Sequence, residues 1–262
     1  MLEKRLFRFT PPSQFNDPFE GQPRLMNFHS DKLMRERYET YLQQSYDKHI
    51  KAPSSRPMTP AEFRRSRVPY EAFVENLKNR FPDYRKIWDE GMHRWLRDEV
   101  GVLCLCQNGE SAAMWAHYGS DHQGFLVEFD ERAEFFSGYR DGTVGQWVEV
   151  EYRAERAEWD YDAFTGDDSL AVKSLEWDYE SEIRLIRLLS GRDGKLDHEK
   201  LPTLFEFPAG IVKSVTLGLR HEETRIKEVL DRILSQPCYA HTERFRAVKD
   251  HDTYKVKRVR GW

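Results

Sequence analysis

No apolar run in the 262-residue chain approaches the roughly 18 residues that a membrane-spanning helix needs. The first ten residues also lack the apolar core of a signal peptide. The expectation is therefore a cytoplasmic protein with no membrane span. Cysteine is scarce: Cys104, Cys106 and Cys238 are the three present, too few for a disulfide framework. They read as buried free thiols of a reducing compartment, with Cys104 and Cys106 expected on opposite faces of a strand and so poorly placed to share a metal. Neither charge sign dominates. With 41 basic and 45 acidic residues the net charge is −4, which provides no overall drive toward nucleic acid or membrane.

Several motifs are also missing. There is no G-x-G-x-x-G, no Walker phosphate loop, no Cys-x-x-Cys, no His-Glu-x-x-His and no G-x-S-x-G. The nine histidines are scattered. His117 and His122 alone supply too few ligands for zinc, so no metal is expected.

Aromatic residues and charges are plentiful: seven Trp, twelve Tyr and sixteen Phe, with charged residues at 33%. Buried Trp and Tyr need partners for their N–H and O–H groups, which suits a protein with a pocket. Residues 5–10 read as a short strand, followed by a rigid loop through Pro11, Pro12 and Asn16-Asp17-Pro18. Asn16 and Asp17 fit an Asx turn at least as well as a ligand site.

Residues 30–50 read as a helix capped by Ser30. Thr59-Pro60-Ala61-Glu62 is a helix start with cap, proline and capping-box glutamate. Further helices are expected over about 70–80, ending near Pro82, and over about 83–98. From Val100 the pattern changes to strands at 102–106, 124–130, 147–152, 179–189, 211–217, 244–248 and 254–259. A short helix is expected over Ser111–Gly119 and an amphipathic one over Glu222–Leu234. Many strands with few helices between them favour an α+β fold with mixed, largely antiparallel sheets. The expected organisation is a single domain over 1–262 with a helical insertion at about 30–100.

Two constellations could carry chemistry. Trp177–Ile186 reads as a strand closed by a turn at Gly191 and Gly194, with Glu180, Glu182 and Arg184 on one face and the carboxylates roughly 7 Å apart. Such a face is costly to bury unless the charges pair or react. The plain alternative is a solvated edge with an internal ion pair. The other constellation is Trp115, His117, Tyr118 and His122, which could grip a planar ring. There the alternative is core aromatics with a structural histidine.

Three segments together resemble a bacterial family of unknown function, DUF2971. They are Phe15-Asn16-Asp17-Pro18-Phe19-Glu20, then Met114–Tyr118 with His122–Phe125 and Glu128–Asp130, then Lys173 with Trp177–Arg184. The segment Ile211–Gly218 followed by a helix is also similar. The resemblance covers most of the chain outside the helical region and implies no established activity. A further similarity is to ADP-ribosyltransferases of the bacterial-toxin type, on the Glu180-x-Glu182 pair and the order of segments. It implies catalytic roles for Glu182 and Glu180, with Asn16, Asp17, Trp115, His117, Tyr118, His122 and Arg184 holding substrate. It also implies NAD as co-substrate, and leaves open whether there is a protein or nucleic-acid acceptor. In such enzymes a first strand carries a histidine or arginine that holds NAD; here the sequence starts close to the strand before the Asn-Asp-Pro loop.

The expected function is an NAD-using ADP-ribosyltransferase or NAD glycohydrolase, a toxin or anti-phage effector. One alternative is a magnesium-dependent nuclease using the carboxylates with Lys173 or Lys195 and the basic loop Arg56–Arg67. The other is a non-catalytic module that binds a nucleotide or a partner.

Overall fold

The computed structural model describes residues 1–22, 24–25, 31–52, 56–136, 146–159, 169–189 and 203–262. The cap expected at Ser30, the turn at Gly191 and Gly194, and Lys195 lie outside these residues. The strands are β1 (Leu6–Arg8), β2 (Arg24–Leu25), β3 (Val100–Cys106), β4 (Phe125–Phe129), β5 (Gln146–Glu149), β6 (Glu151–Arg153), β7 (Glu158–Trp159), β8 (Val172–Ser174), β9 (Glu182–Leu188), β10 (Leu204–Glu206), β11 (Val212–Leu217), β12 (Glu243–Lys249) and β13 (Val256–Arg260). The helices are α1 (Asp31–Lys51), α2 (Pro60–Arg65), α3 (Tyr70–Arg94), α4 (Ala112–His117) and α5 (Ile226–Leu234). Helices and mixed, mostly antiparallel sheets make this an α+β fold. Among the described residues no helix is long and apolar enough to cross a membrane.

The chain divides into two compact units. One comprises Met1–Gly21, Arg94–Glu155 and Leu170–Trp262; the other comprises Gln22–His93 and Arg156–Ser169. In the second unit, α2 starts as the sequence indicates. Thr59 Oγ1 accepts from the Glu62 backbone N–H while the Glu62 carboxylate accepts from the Thr59 N–H, closing a capping box. Buried Phe63 meets the Tyr46 ring at 5.3 Å, and Tyr38 packs on Phe73 at 5.2 Å. The two helices expected on either side of Pro82 are one: α3 runs through the proline. Proline removes one backbone donor, but its fixed φ is compatible with a helix.

The first unit holds the main core and two principal sheets. The first has the order β13–β12–β11–β4. Its β11 and β12 are parallel and joined through α5, whose buried Leu230, Ile233 and Leu234 pack into the core. The second has the order β3–β9–β5, antiparallel throughout, with Leu103 opposite Leu185 and Cys104 opposite Arg184. Side chains alternate across a strand, so this register decides what each face carries. Leu103, Leu105, Leu185 and Trp147 join the main core with Phe7, Phe207 and Val215. The opposite face carries Glu182, Arg184, Cys104 and Cys106. The two cysteines therefore share a face, contrary to the expectation, because residues two apart on a strand point the same way. Cys104 is also exposed rather than buried.

Candidate functional site

The expected strand over Trp177–Ile186 is two elements. Leu175–Glu180 forms a 3-10 helix, and β9 begins only at Glu182. Ser174 caps the turn, its hydroxyl accepting from the Glu176 N–H, and Glu176 and Asp178 sit where a helix N-terminus favours negative charge. Ser181 leaves the helix in the left-handed region, at φ 44° and ψ 56°. The alternation of Trp177, Asp178, Tyr179 and Glu180 thus imitates a strand without forming one. Glu180 and Glu182 meet by chain reversal rather than by strand spacing.

They meet on a cation. Lys173, on β8, places Nζ 2.5 Å from Glu180 Oε2, 3.5 Å from Glu182 Oε2 and 3.8 Å from Glu20 Oε1. Arg184 donates Nε to Glu182 Oε1 at 3.0 Å and Nη2 to Glu182 Oε2 at 2.8 Å. Its Nη1 reaches the Leu170 carbonyl at 2.8 Å, and Nη2 also bonds Glu20 Oε1. The Phe15 ring lies 5.2 Å from the guanidinium carbon. Glu20, Lys173, Glu180, Glu182 and Arg184 are all under 9% exposed. Tyr152, opposite Lys173 in the β6–β8 pair, accepts the Glu182 backbone N–H at 2.8 Å.

Among the described residues the buried cluster holds three carboxyl groups against two cations. Burial raises the Glu20 carboxyl above the ordinary carboxylate range, more than Arg184 and Lys173 lower it. Burial pushes Glu182 the same way, but its bonds to Arg184 and the nearby positive charge outweigh this and hold it below the ordinary range. Burial disfavours the Lys173 ammonium, yet the field of Glu20 and the bond to Glu180 raise its pKa. Lys173 therefore stays charged and is a fixed cation rather than a nucleophile.

An aromatic rim covers Glu180. The Tyr118 hydroxyl, one residue past α4, donates to Glu180 Oε1 at 2.6 Å while the residue remains 57% exposed. Burial and the bond to Glu180 push the Tyr118 hydroxyl well above its ordinary pKa, while the nearby Asn16 side chain pulls it down. His117 Nδ1 lies 2.9 Å from the Tyr179 hydroxyl, and Trp177 stacks under Lys173 Nζ at 4.7 Å.

Of the residues singled out from the sequence, Asn16, His117, Tyr118, Glu180, Glu182 and Arg184 belong to this group. Asp17 is buried beside it and makes an Asx turn, Oδ1 accepting from the Phe19 N–H at 2.9 Å. Trp115 is buried in a separate core cluster with Ala247 and Val256, its indole N–H on the Gly109 carbonyl at 3.0 Å, and among the described residues no hydrogen bond or ring contact joins its side chain to the Glu180 group. His122 stacks on Trp115, ring planes 9° apart, in a turn where Ser120, Asp121 and His122 all have positive φ. Gly218 is required there, since a Cβ would lie 2.2 Å from the His122 carbonyl oxygen. His122 and Trp115 thus shape the turn that follows α4.

Residues 114–185 match the model of the family described as protein of unknown function (DUF2971). The DUF2971 segment supplies Tyr118, Lys173, Glu180, Glu182 and Arg184, while Glu20 and Asn16 reach the cluster from outside it. No curated protein and no solved structure matches the chain. Glu20 and Tyr152 were not among the residues expected in the site, and Lys173 was expected there only for phosphodiester chemistry. The available signal is electrostatic: a buried Glu–Arg face needs further charges to balance it, and Glu20 and Lys173 lie in the segments that carry the family resemblance.

Proposed function

We propose that the Tyr118–Glu180 face binds a nucleoside ring and cleaves its N-glycosidic bond, making the protein an NAD-consuming ADP-ribosyltransferase or NAD glycohydrolase. The observation that carries this reading is the bond from the exposed Tyr118 to the buried Glu180 carboxylate, 62 residues away in sequence, with Asn16 near the same hydroxyl and His117 paired with Tyr179 alongside. The bond between ribose C1′ and the nicotinamide nitrogen breaks, and its electron pair neutralises the pyridinium. Water or an acceptor hydroxyl then bonds C1′ and releases its proton to solvent. A carboxylate accepting from the ribose hydroxyl stabilises the positive charge that develops on the sugar. Glu180 is the better placed for this contact. Glu182, held on both oxygens by Arg184 and Lys173, positions the cluster.

The test is nicotinamide release from NAD by purified protein beside Glu180→Gln. Release that falls at least 100-fold in the variant supports the reading. No release by the wild type, or release untouched by the substitution, ends it. A non-catalytic binding module is the second reading, favoured by the internal pairing of Glu182. It predicts a nucleotide-dependent rise in melting temperature without turnover. The nuclease alternative is disfavoured because Lys173 Nζ sits among the three carboxylates, at the point a magnesium ion would need.

A further inference from the structure

The three buried carboxylates differ in how a ligand could reach them. Glu182 has both oxygens on Arg184 and Lys173, and Glu20 bonds Arg184. Glu180 gives Oε2 to Lys173, but its Oε1 is held by the hydroxyl of Tyr118, a residue 57% exposed. Tyr118 follows the last residue of the short helix α4, so a single side-chain rotation toward solvent withdraws its hydroxyl and uncovers Oε1. An uncovered carboxylate oxygen accepts only from a donor. Among the described residues the cluster behind it has three carboxyl groups against two cations, and an anion brought to Oε1 meets the Glu180 carboxylate first, so it is repelled. The rim that remains, Tyr179, Trp177 and His117, presents aromatic rings that favour a flat or cationic group.

We propose that Tyr118 caps the site in the free protein and that the ligand enters by an uncharged or cationic, hydrogen-bond-donating end that replaces the Tyr118 hydroxyl on Glu180 Oε1. Any phosphate of the ligand then lies outward, away from Glu180. This rests on the reading above for the place of binding, and not for its chemistry. Tyr118 is in this account a residue that sets specificity, and it competes with the ligand for Glu180.

The experiment measures binding by calorimetry to wild type, Tyr118→Phe and Glu180→Gln, with nicotinamide riboside (cationic), adenosine (neutral) and AMP (anionic) as probes. Melting temperatures of the free proteins serve as the folding control. The expected order of affinity is nicotinamide riboside, adenosine, AMP. Tyr118→Phe keeps the ring and removes the competing hydroxyl, so it should tighten the riboside about tenfold, the worth of one hydrogen bond to a charged group. Glu180→Gln should abolish that gain. Unchanged or weaker riboside binding by a folded Tyr118→Phe protein overturns the proposal. So does AMP binding as well as the riboside, and so does no binding by any probe. Tightening without any NAD turnover upholds the cap while ending the catalytic reading, so the two fail separately.

Discussion

The two faces of the β3–β9–β5 sheet are built from adjacent residues of the same strands and solve opposite problems. Leu103, Leu185 and Trp147 lie on one face, where burial removes apolar surface from water and close packing does the rest. Glu182 and Arg184 lie on the other, equally buried, where each charge is tolerable only because a partner arrives from elsewhere: Glu20, Lys173 and the Leu170 carbonyl. The apolar face depends on volume and tolerates imperfect neighbours. The charged face depends on stoichiometry and fails when one member is lost. A protein gains little stability from burying such a network in place of apolar side chains, so its presence points to use.

The strongest way to break the comparison is Arg184→Met. It should destabilise the protein by about 3–5 kcal/mol, since Glu20 and Glu182 are left buried without their cation. Denaturant unfolding measures this. Adding Glu20→Gln and Glu182→Gln should recover most of the loss, and a triple variant no more stable than the single one would show that packing rather than charge is at fault. On the opposite face Leu185→Ala should cost about 2–5 kcal/mol by the same measurement, with no rescue from neutralising the carboxylates. A smaller effect belongs to Tyr152→Phe, which leaves the Glu182 backbone N–H without its acceptor and should cost about 1–3 kcal/mol.

The smallest expected effect concerns a surface carboxylate, as a contrast to the buried ones. Burial pushes Glu128 up, but Arg258, Ser214 and Lys213 outweigh it and bring its pKa down to about 2. Because the folded value is depressed, its contribution is present above the ordinary carboxylate value of about 4.5 and lost as pH falls through about 2. The melting-temperature gap between wild type and Glu128→Gln should therefore be full at neutral pH and close between pH 4.5 and 2. A gap constant over that range would mean that Glu128 acts through its shape alone.

Much of the fold was legible from residue order. The strands β3, β4, β11, β12 and β13 and the helices α1, α4 and α5 fall close to where periodicity and caps put them, while of the expected strand over 177–186 only the second half is β9. The Thr59 capping box was readable to the atom. The candidate site was half legible: Tyr118, Glu180, Glu182 and Arg184 were named, while their counter-charges were not assigned to it. Trp115 is the contrasting case. Its chemistry suits a binding platform, but its ring is packed against Ala247 and Val256 from the far end of the chain.

What the sequence determined by itself was local: which residues alternate along a strand, where a helix starts, and that a buried acid–base face would need compensation. Tertiary structure alone decided who compensates. Glu20 lies 164 residues from Arg184, and Tyr118 lies 62 from Glu180. Hydrophobic spacing acts over a few residues and is written in neighbouring letters. The partner of a buried charge is fixed only when the chain has closed around it, and any acid or base of the right reach could have served.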